Sequence, residues 1–154
     1  MGLFERGNAL GDGMRVNGAV DHSGELVREV VDLPSGLFGG WFVGHFVGQA
    51  GLRETKTVEV KYSVHTESYN QAEFKSNVSA TTLVVLVAGQ CHVDFCTTER
   101  PSDVESCVLT TVGDYVIWPP EVFHRLVVTK ASELLSVRWP SAPDDQRTLT
   151  ELDR

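Results

Sequence analysis

The sequence has little cysteine, and what it has forms no framework. Three cysteines, Cys91, Cys96 and Cys107, stand among 154 residues; the count is odd and no Cys-x-x-Cys pair occurs. Disulfide scaffolds belong to short, cysteine-dense secreted domains, so these three read as structural thiols in a reducing cytoplasm. A Cys91–Cys96 bridge along one strand has poor geometry, because strand residues five apart point to opposite faces and lie far apart. Basic runs are missing too. Lys and Arg number 13 against 21 Asp and Glu, a net charge of -8. Nucleic acids and anionic membranes are both bound through an excess of Lys and Arg, so neither is expected as a partner. The longest apolar run, Leu83 to Ala88, falls far short of the ~20 residues of a membrane span. Met1 to Arg6 lacks the basic-then-apolar order of a signal peptide. A soluble, cytoplasmic protein is expected.

Two further absences narrow the fold and the chemistry. No long amphipathic helical pattern appears, which disfavours α/β folds. Gly7, Gly11 and Gly13 follow no strand and open no helix, so they read as loop glycines and not as a phosphate cradle. Ser63 precedes His65 by two residues, but no Gly-x-Ser-x-Gly elbow exists, so a serine nucleophile is not expected.

What is present is one domain's worth of strands. Residues 1–25 are glycine-rich and polar, without period, and read as an irregular arm. Residues 26–141 form the body. Strands are predicted at Trp41 to Val47, Thr57 to His65, Thr82 to Val87, Gln90 to Cys96, Cys107 to Thr111, Asp114 to Trp118, Val122 to Val128 and Leu134 to Trp139. Thr82 to Val87 is apolar throughout and reads as buried on both faces. An Ala88-Gly89 turn should separate it from the next strand. Residues 142–154 form a polar tail, with one helical turn expected at Thr148 to Leu152.

The most informative stretch is Gly113-Asp114-Tyr115-Val116-Ile117-Trp118-Pro119-Pro120-Glu121-Val122-Phe123-His124. A glycine turn enters a strand, proline fixes a corner, and the next strand carries His124 on the same face as Val122, Leu126 and Val128. This resembles the second motif of the cupin superfamily, with Glu121 where glycine is common. Around Gly40 to Phe46, Val58 to Lys61 with His65, Ala80 to Leu83, and Val137 to Pro140, the chain also resembles small bacterial cupins of unsettled activity. The resemblance implies an all-β double-stranded β-helix, a jelly-roll barrel, often dimeric. Together with the exposed strand edges of such a barrel it leads to the expectation of a homodimer. If Gly89 is the glycine of the first cupin motif, its metal-ligand positions fall near Lys75, Asn77 and Thr82, none of them a usual ligand.

The candidate site residues follow from the strand faces. His124 holds the superfamily's last metal-ligand position, and His65 ends a strand whose polar face also carries Glu59, Lys61 and Ser63. With His65 and His124 as general base and acid and Lys61 or Arg138 steadying an oxyanion, the barrel suits proton transfer next to a carbonyl. That chemistry covers isomerisation, epimerisation, cyclisation and elimination, and metal-free cupins that epimerise sugars lie within the superfamily. Arg138 suits a substrate carboxylate, with Tyr62, Tyr115 and Trp118 as pocket walls. No cofactor is the leading expectation. The alternative is a metal-dependent oxygenase or hydrolase with Fe, Mn, Ni or Zn on His65, Glu67 and His124. A third reading is a binding module for a small metabolite. His45 reads as a satisfied core residue, His92 as solvent-facing and His22 as inert.

Overall fold

The computed structural model describes residues 16–20, 23, 26–30, 39–48, 51–66, 68–97 and 102–149. Every regular element among them is a strand: β1 (Val16–Val20), β2 (Leu26–Val30), β3 (Trp41–Val43), β4 (Glu59–His65), β5 (Tyr69–Asn70), β6 (Lys75–Asn77), β7 (Thr81–Cys96), β8 (Glu105–Leu109), β9 (Tyr115–Trp118), β10 (Phe123–Trp139) and β11 (Gln146–Thr148). None of the described residues forms a helix long and apolar enough to cross a membrane. β1 and β2 pair antiparallel, so Val16–Val20 of the expected irregular arm is a strand. Residues 1–15 lie outside the described residues.

Two long strands organise the other nine. β10 pairs with β4, β5, β6 and β7, and β7 also pairs with β8 and β9, all antiparallel. Each long strand was expected as two short ones. β7 does not turn at Ala88-Gly89. It bends there, with Gly89 at φ 81°, and the register with β10 shifts around Lys130 and Glu133 at the same level. A Cβ at residue 89 would collide with the Ala131 carbonyl and Ser132. Glycine is required here for a left-handed backbone and for close approach of the two strands, not for a hairpin.

Burial on β7 alternates. Thr82, Val84 and Leu86 are buried while Val87 is exposed, so the strand is not covered on both faces as its composition suggested. The core lies along this inner face, from Val84, Leu86, Cys91 and Val93 across to Leu109, Trp118, Val128 and Leu134. The outer face is also rich in apolar residues: Val60, Val137, Leu83 and Ile117 form one cross-strand row, and Tyr62, Leu135, Val85 and Tyr115 the next.

Two expected boundaries move. The strand at Trp41 stops at Val43, where Gly44 turns the chain (φ 150°) against the Phe46 ring. The polar tail does not begin a helical turn at Thr148. Gln146–Thr148 joins the sheet beside β6, and Leu149 packs on Phe123 and Cys96. Residues 150–154 lie outside the described residues.

Candidate functional site

The register of β4 against β10 decides what faces the interior. Glu59 pairs with Arg138, Lys61 with Ser136, Ser63 with Leu134 and His65 with Ser132. Leu134 belongs to the core, so the polar face of β4 is the inner one. Its valines and Tyr62 face outward, the reverse of the ordinary pattern for a half-buried strand. Lys61 and Arg138 line an interior cavity of about 100 Å³ with Trp41, Thr82, Trp118 and His124. That volume is several times the ~10–15 Å³ needed to admit one water. Trp41 and Arg138 also border a wider cleft of about 460 Å³, where His45, Glu59, Asn77 and Asp145 lie.

His124 is set in place by the motif that precedes it. Gly113 takes φ 93°, and the Asp114 carboxylate accepts the backbone N–H groups of Thr110 and Thr111 at 2.9 Å each. β9 ends before Pro119, and Glu121 takes φ 66° while its N–H donates to Asn77 O at 2.7 Å. The glycine common at that position thus has a conformational reason, and here a solvent-exposed glutamate adopts it. The His124 ring, 7 % exposed, lies 4.6 Å from the Trp118 ring. The Nδ1–H donates to the Val122 carbonyl at 3.1 Å, which leaves Nε2 as the lone-pair nitrogen. Burial pushes the imidazole pKa down to about 4; the Val122 bond opposes this and the Arg138 charge adds to it. The ring is therefore neutral at neutral pH.

Two cations share one aromatic surface beside it. The Arg138 guanidinium lies 4.6 Å and the Lys61 ammonium 5.6 Å from the centre of the Trp41 ring. Burial and then the Arg138 charge hold the Lys61 pKa below its ordinary value. Glu59, buried itself, stands 3.9 Å from Arg138 Nη1. Its Oε1 accepts the Ser141 hydroxyl at 3.1 Å, and His45 Nδ1 lies 2.7 Å from that hydroxyl and 3.2 Å from Oε1. The Arg138 Nε is buried and has no hydrogen-bond partner among the described residues.

The expected site residues separate into two groups. His124, Lys61, Arg138 and Trp118 converge on the cavity. His65 does not join them: the Ser63–Leu134 pair stands between its row and that of Lys61. Its ring stacks on Tyr69 at 5.2 Å, its Nε2 is buried without a partner among the described residues, and burial, with the Lys61 charge, lowers its pKa. Tyr62 is on the outer face, where its hydroxyl donates to Glu133. Tyr115 is 64 % exposed on the same face. Neither tyrosine walls the cavity, because period-2 alternation on β4 and β9 turns them away from it. His92 is engaged by Asp94 at 3.4 Å, and His45 by Glu59 and Ser141. His22 and Glu67 lie outside the described residues.

The residues around His124 do not fit a metal. Lys75 is its cross-strand partner, and Thr82 and Asn77 contact each other at 3.5 Å. Of the ligand positions expected from the first cupin motif, only Thr82 lines the cavity with His124, and the three carry an amine, an amide and a hydroxyl. Two cations line the same cavity, and no cluster of three His, Cys, Asp or Glu occurs among the described residues. A divalent ion needs several N/O ligands of the anionic or imidazole kind. Sequence reasoning missed Glu59, Ser141 and the role of Trp41. Glu59 was visible as a face-mate of Lys61, whereas nothing local marked Ser141.

Comparison with known proteins bears on the architecture. No family model matches the chain, and no curated protein matches it. Solved structures do. Pac13 of Streptomyces, a nucleoside dehydratase solved with uridine, superposes with TM-score 0.51 at 16 % identity over 67 % of this chain and 73 % of its own. Peruvianin-I, a cysteine peptidase from Thevetia peruviana latex, gives TM-score 0.50 at 21 % identity over 60 % of this chain; the match spans 56 % of that protein's length. A cupin protein from Bacteroides fragilis gives TM-score 0.45 at 12 % identity over 57 % of this chain and 69 % of its own. Identities this low speak to fold alone: the chain shares the all-strand, antiparallel β-barrel architecture of Pac13.

Proposed function

We propose that the barrel interior performs acid/base chemistry next to the carbonyl of a small anionic molecule. The observation that carries this reading is the meeting of a neutral histidine lone pair and two cations on one buried cavity. His124 Nε2 takes a proton from the carbon beside the carbonyl. Negative charge develops on the carbonyl oxygen, where Lys61 and Arg138 stabilise it. His124, now protonated and with an acidic imidazolium, returns the proton to the same carbon or to a neighbouring one, or a β-substituent leaves. These outcomes are epimerisation, isomerisation and elimination. Trp118, Val84, Val93 and Leu134 wall the cavity and exclude bulk water.

The paired roles for His65 and His124 reduce to His124 alone, since His65 is off the cavity. A positioned general base is worth ~10²–10⁴-fold in rate. The test is deuterium exchange at carbon, followed by proton NMR over a panel of small 2-oxo and 2-hydroxy acids in D2O. His124→Gln should slow exchange by about 10²–10⁴-fold, and an unchanged rate would remove His124 from the chemistry. The binding-module reading is supported by the orphaned Arg138 Nε. It predicts thermal stabilisation by the same acids without exchange in the wild-type protein.

A further inference from the structure

We propose that Lys61 forms a covalent imine with the carbonyl carbon of its substrate, and that the substrate is a small 2-oxo acid whose carboxylate pairs with Arg138. This rests on the acid/base reading of the cavity and names its substrate class, with Lys61 now the nucleophile in place of an oxyanion stabiliser and Arg138 on the carboxylate in place of the carbonyl oxygen. The geometry places an amine, a guanidinium and a neutral imidazole on one cavity of about 100 Å³. The space suits the head of a compact molecule. Arg138 lies over the Trp41 ring, has Glu59 beside it, and keeps a buried Nε without an acceptor among the described residues. A carboxylate matches the planar fork of a guanidinium. Lys61 lies over the same ring, and no carboxylate among the described residues is paired with its ammonium. An amine that is desolvated and beside another cation is disposed toward its neutral, nucleophilic form, in line with the lowered pKa of Lys61.

The steps balance without any oxidant or reductant. The Lys61 Nζ lone pair attacks the carbonyl carbon, and the oxygen takes up a proton to give a carbinolamine. Loss of one water leaves a protonated imine. That cation is the electron sink for the next step: His124 Nε2 removes a proton from the adjacent carbon and the C–H pair becomes the enamine double bond. Reprotonation at carbon by the His124 imidazolium and addition of one water return the 2-oxo acid, the free amine and the proton that water supplied to the carbonyl oxygen. Arg138 holds the carboxylate throughout.

The probe is pyruvate, the smallest 2-oxo acid with an enolisable C–H, added to the full chain with sodium cyanoborohydride. Peptide mapping then reads which of Lys56, Lys61, Lys75 and Lys130 carries the reduced adduct. The expected result is that Lys61 carries the adduct in preference to each of the other three lysines, since only Lys61 lies on the cavity beside Arg138 and His124. Lys61→Arg, checked for fold by circular dichroism, should lose the adduct. Even labelling of the four lysines, or an adduct that survives in Lys61→Arg, would overturn the imine. Deuterium exchange into the pyruvate methyl separates the two claims. Exchange that depends on His124 with no trapped adduct removes the imine and leaves the acid/base reading, whereas neither exchange nor adduct removes both.

Discussion

His124 owes its chemistry to what surrounds it. A histidine on a surface is half charged near its ordinary pKa, but this one is buried against Trp118 with its Nδ1–H already donated. The unfolded chain takes up this proton at pH ~6.5, the folded chain only at about 4. Between those values the unfolded state binds more protons, so stability falls as the pH drops through that window. The single group removes about 2 kcal/mol on going from pH ~7 to ~5. Urea titrations at the two pH values should show that loss in the wild type and a smaller one in His124→Gln. At this scale much of the site was legible. The Gly-Pro-His spacing marked His124, and alternation put Lys61 with Glu59 and Arg138 with Ser136. Tyr62 and Tyr115 were misplaced because a period of two defines two faces and does not say which is inside. On β4 the barrel inverts the usual choice, keeping the charges in and the valines out.

At the scale of elements, bends matter more than turns. β7 and β10 run through the barrel corner as single strands, and at Gly89 the β10 backbone leaves no room for a side chain. Gly89→Ala should cost about 3 kcal/mol or prevent folding, because it adds both a left-handed alanine and a collision with backbone that cannot withdraw. Circular dichroism with urea unfolding reads this directly. Glu121 is the opposite case: exposed, at φ 66°, and without a steric need for its side chain. Glu121→Gly should raise stability by about 0.5–1 kcal/mol, the left-handed cost less the added freedom of the unfolded chain. The sequence marked both glycine-type positions, yet Ala88-Gly89 read as a hairpin because a glycine between two apolar runs signals a turn as well as a bend. The short strands β5, β6 and β11 were invisible for another reason. Two or three residues hold no period, and their partners are distant in sequence: β10 for β5 and β6, and β6 for β11.

At the scale of the whole molecule an acidic chain carries a cavity lined by two cations. A net charge of -8 coexists with Lys61 and Arg138 lining one cavity, the place that suits a small anion. Occupancy should stabilise the fold by about 2.7 kcal/mol at one hundred times the dissociation constant, read as a thermal shift with pyruvate or a related acid and lost in Arg138→Gln. The donor set around His124 predicts that protein purified without tag or chelator carries no stoichiometric Fe, Mn, Ni or Zn by plasma mass spectrometry, and that EDTA leaves its unfolding curve unchanged. The all-β barrel was legible from strand spacing and one motif, while the chemistry of its interior depended on register between strands about 75 residues apart, as in Lys61 with Ser136. The measurement that bears most directly on the account is the pH dependence of deuterium exchange at carbon. With His124 as the base, the rate holds steady from neutrality into mild acid and then falls with a midpoint at about 4. A midpoint at ~6.5, the value of an exposed histidine, or a profile identical in His124→Gln, would contradict it.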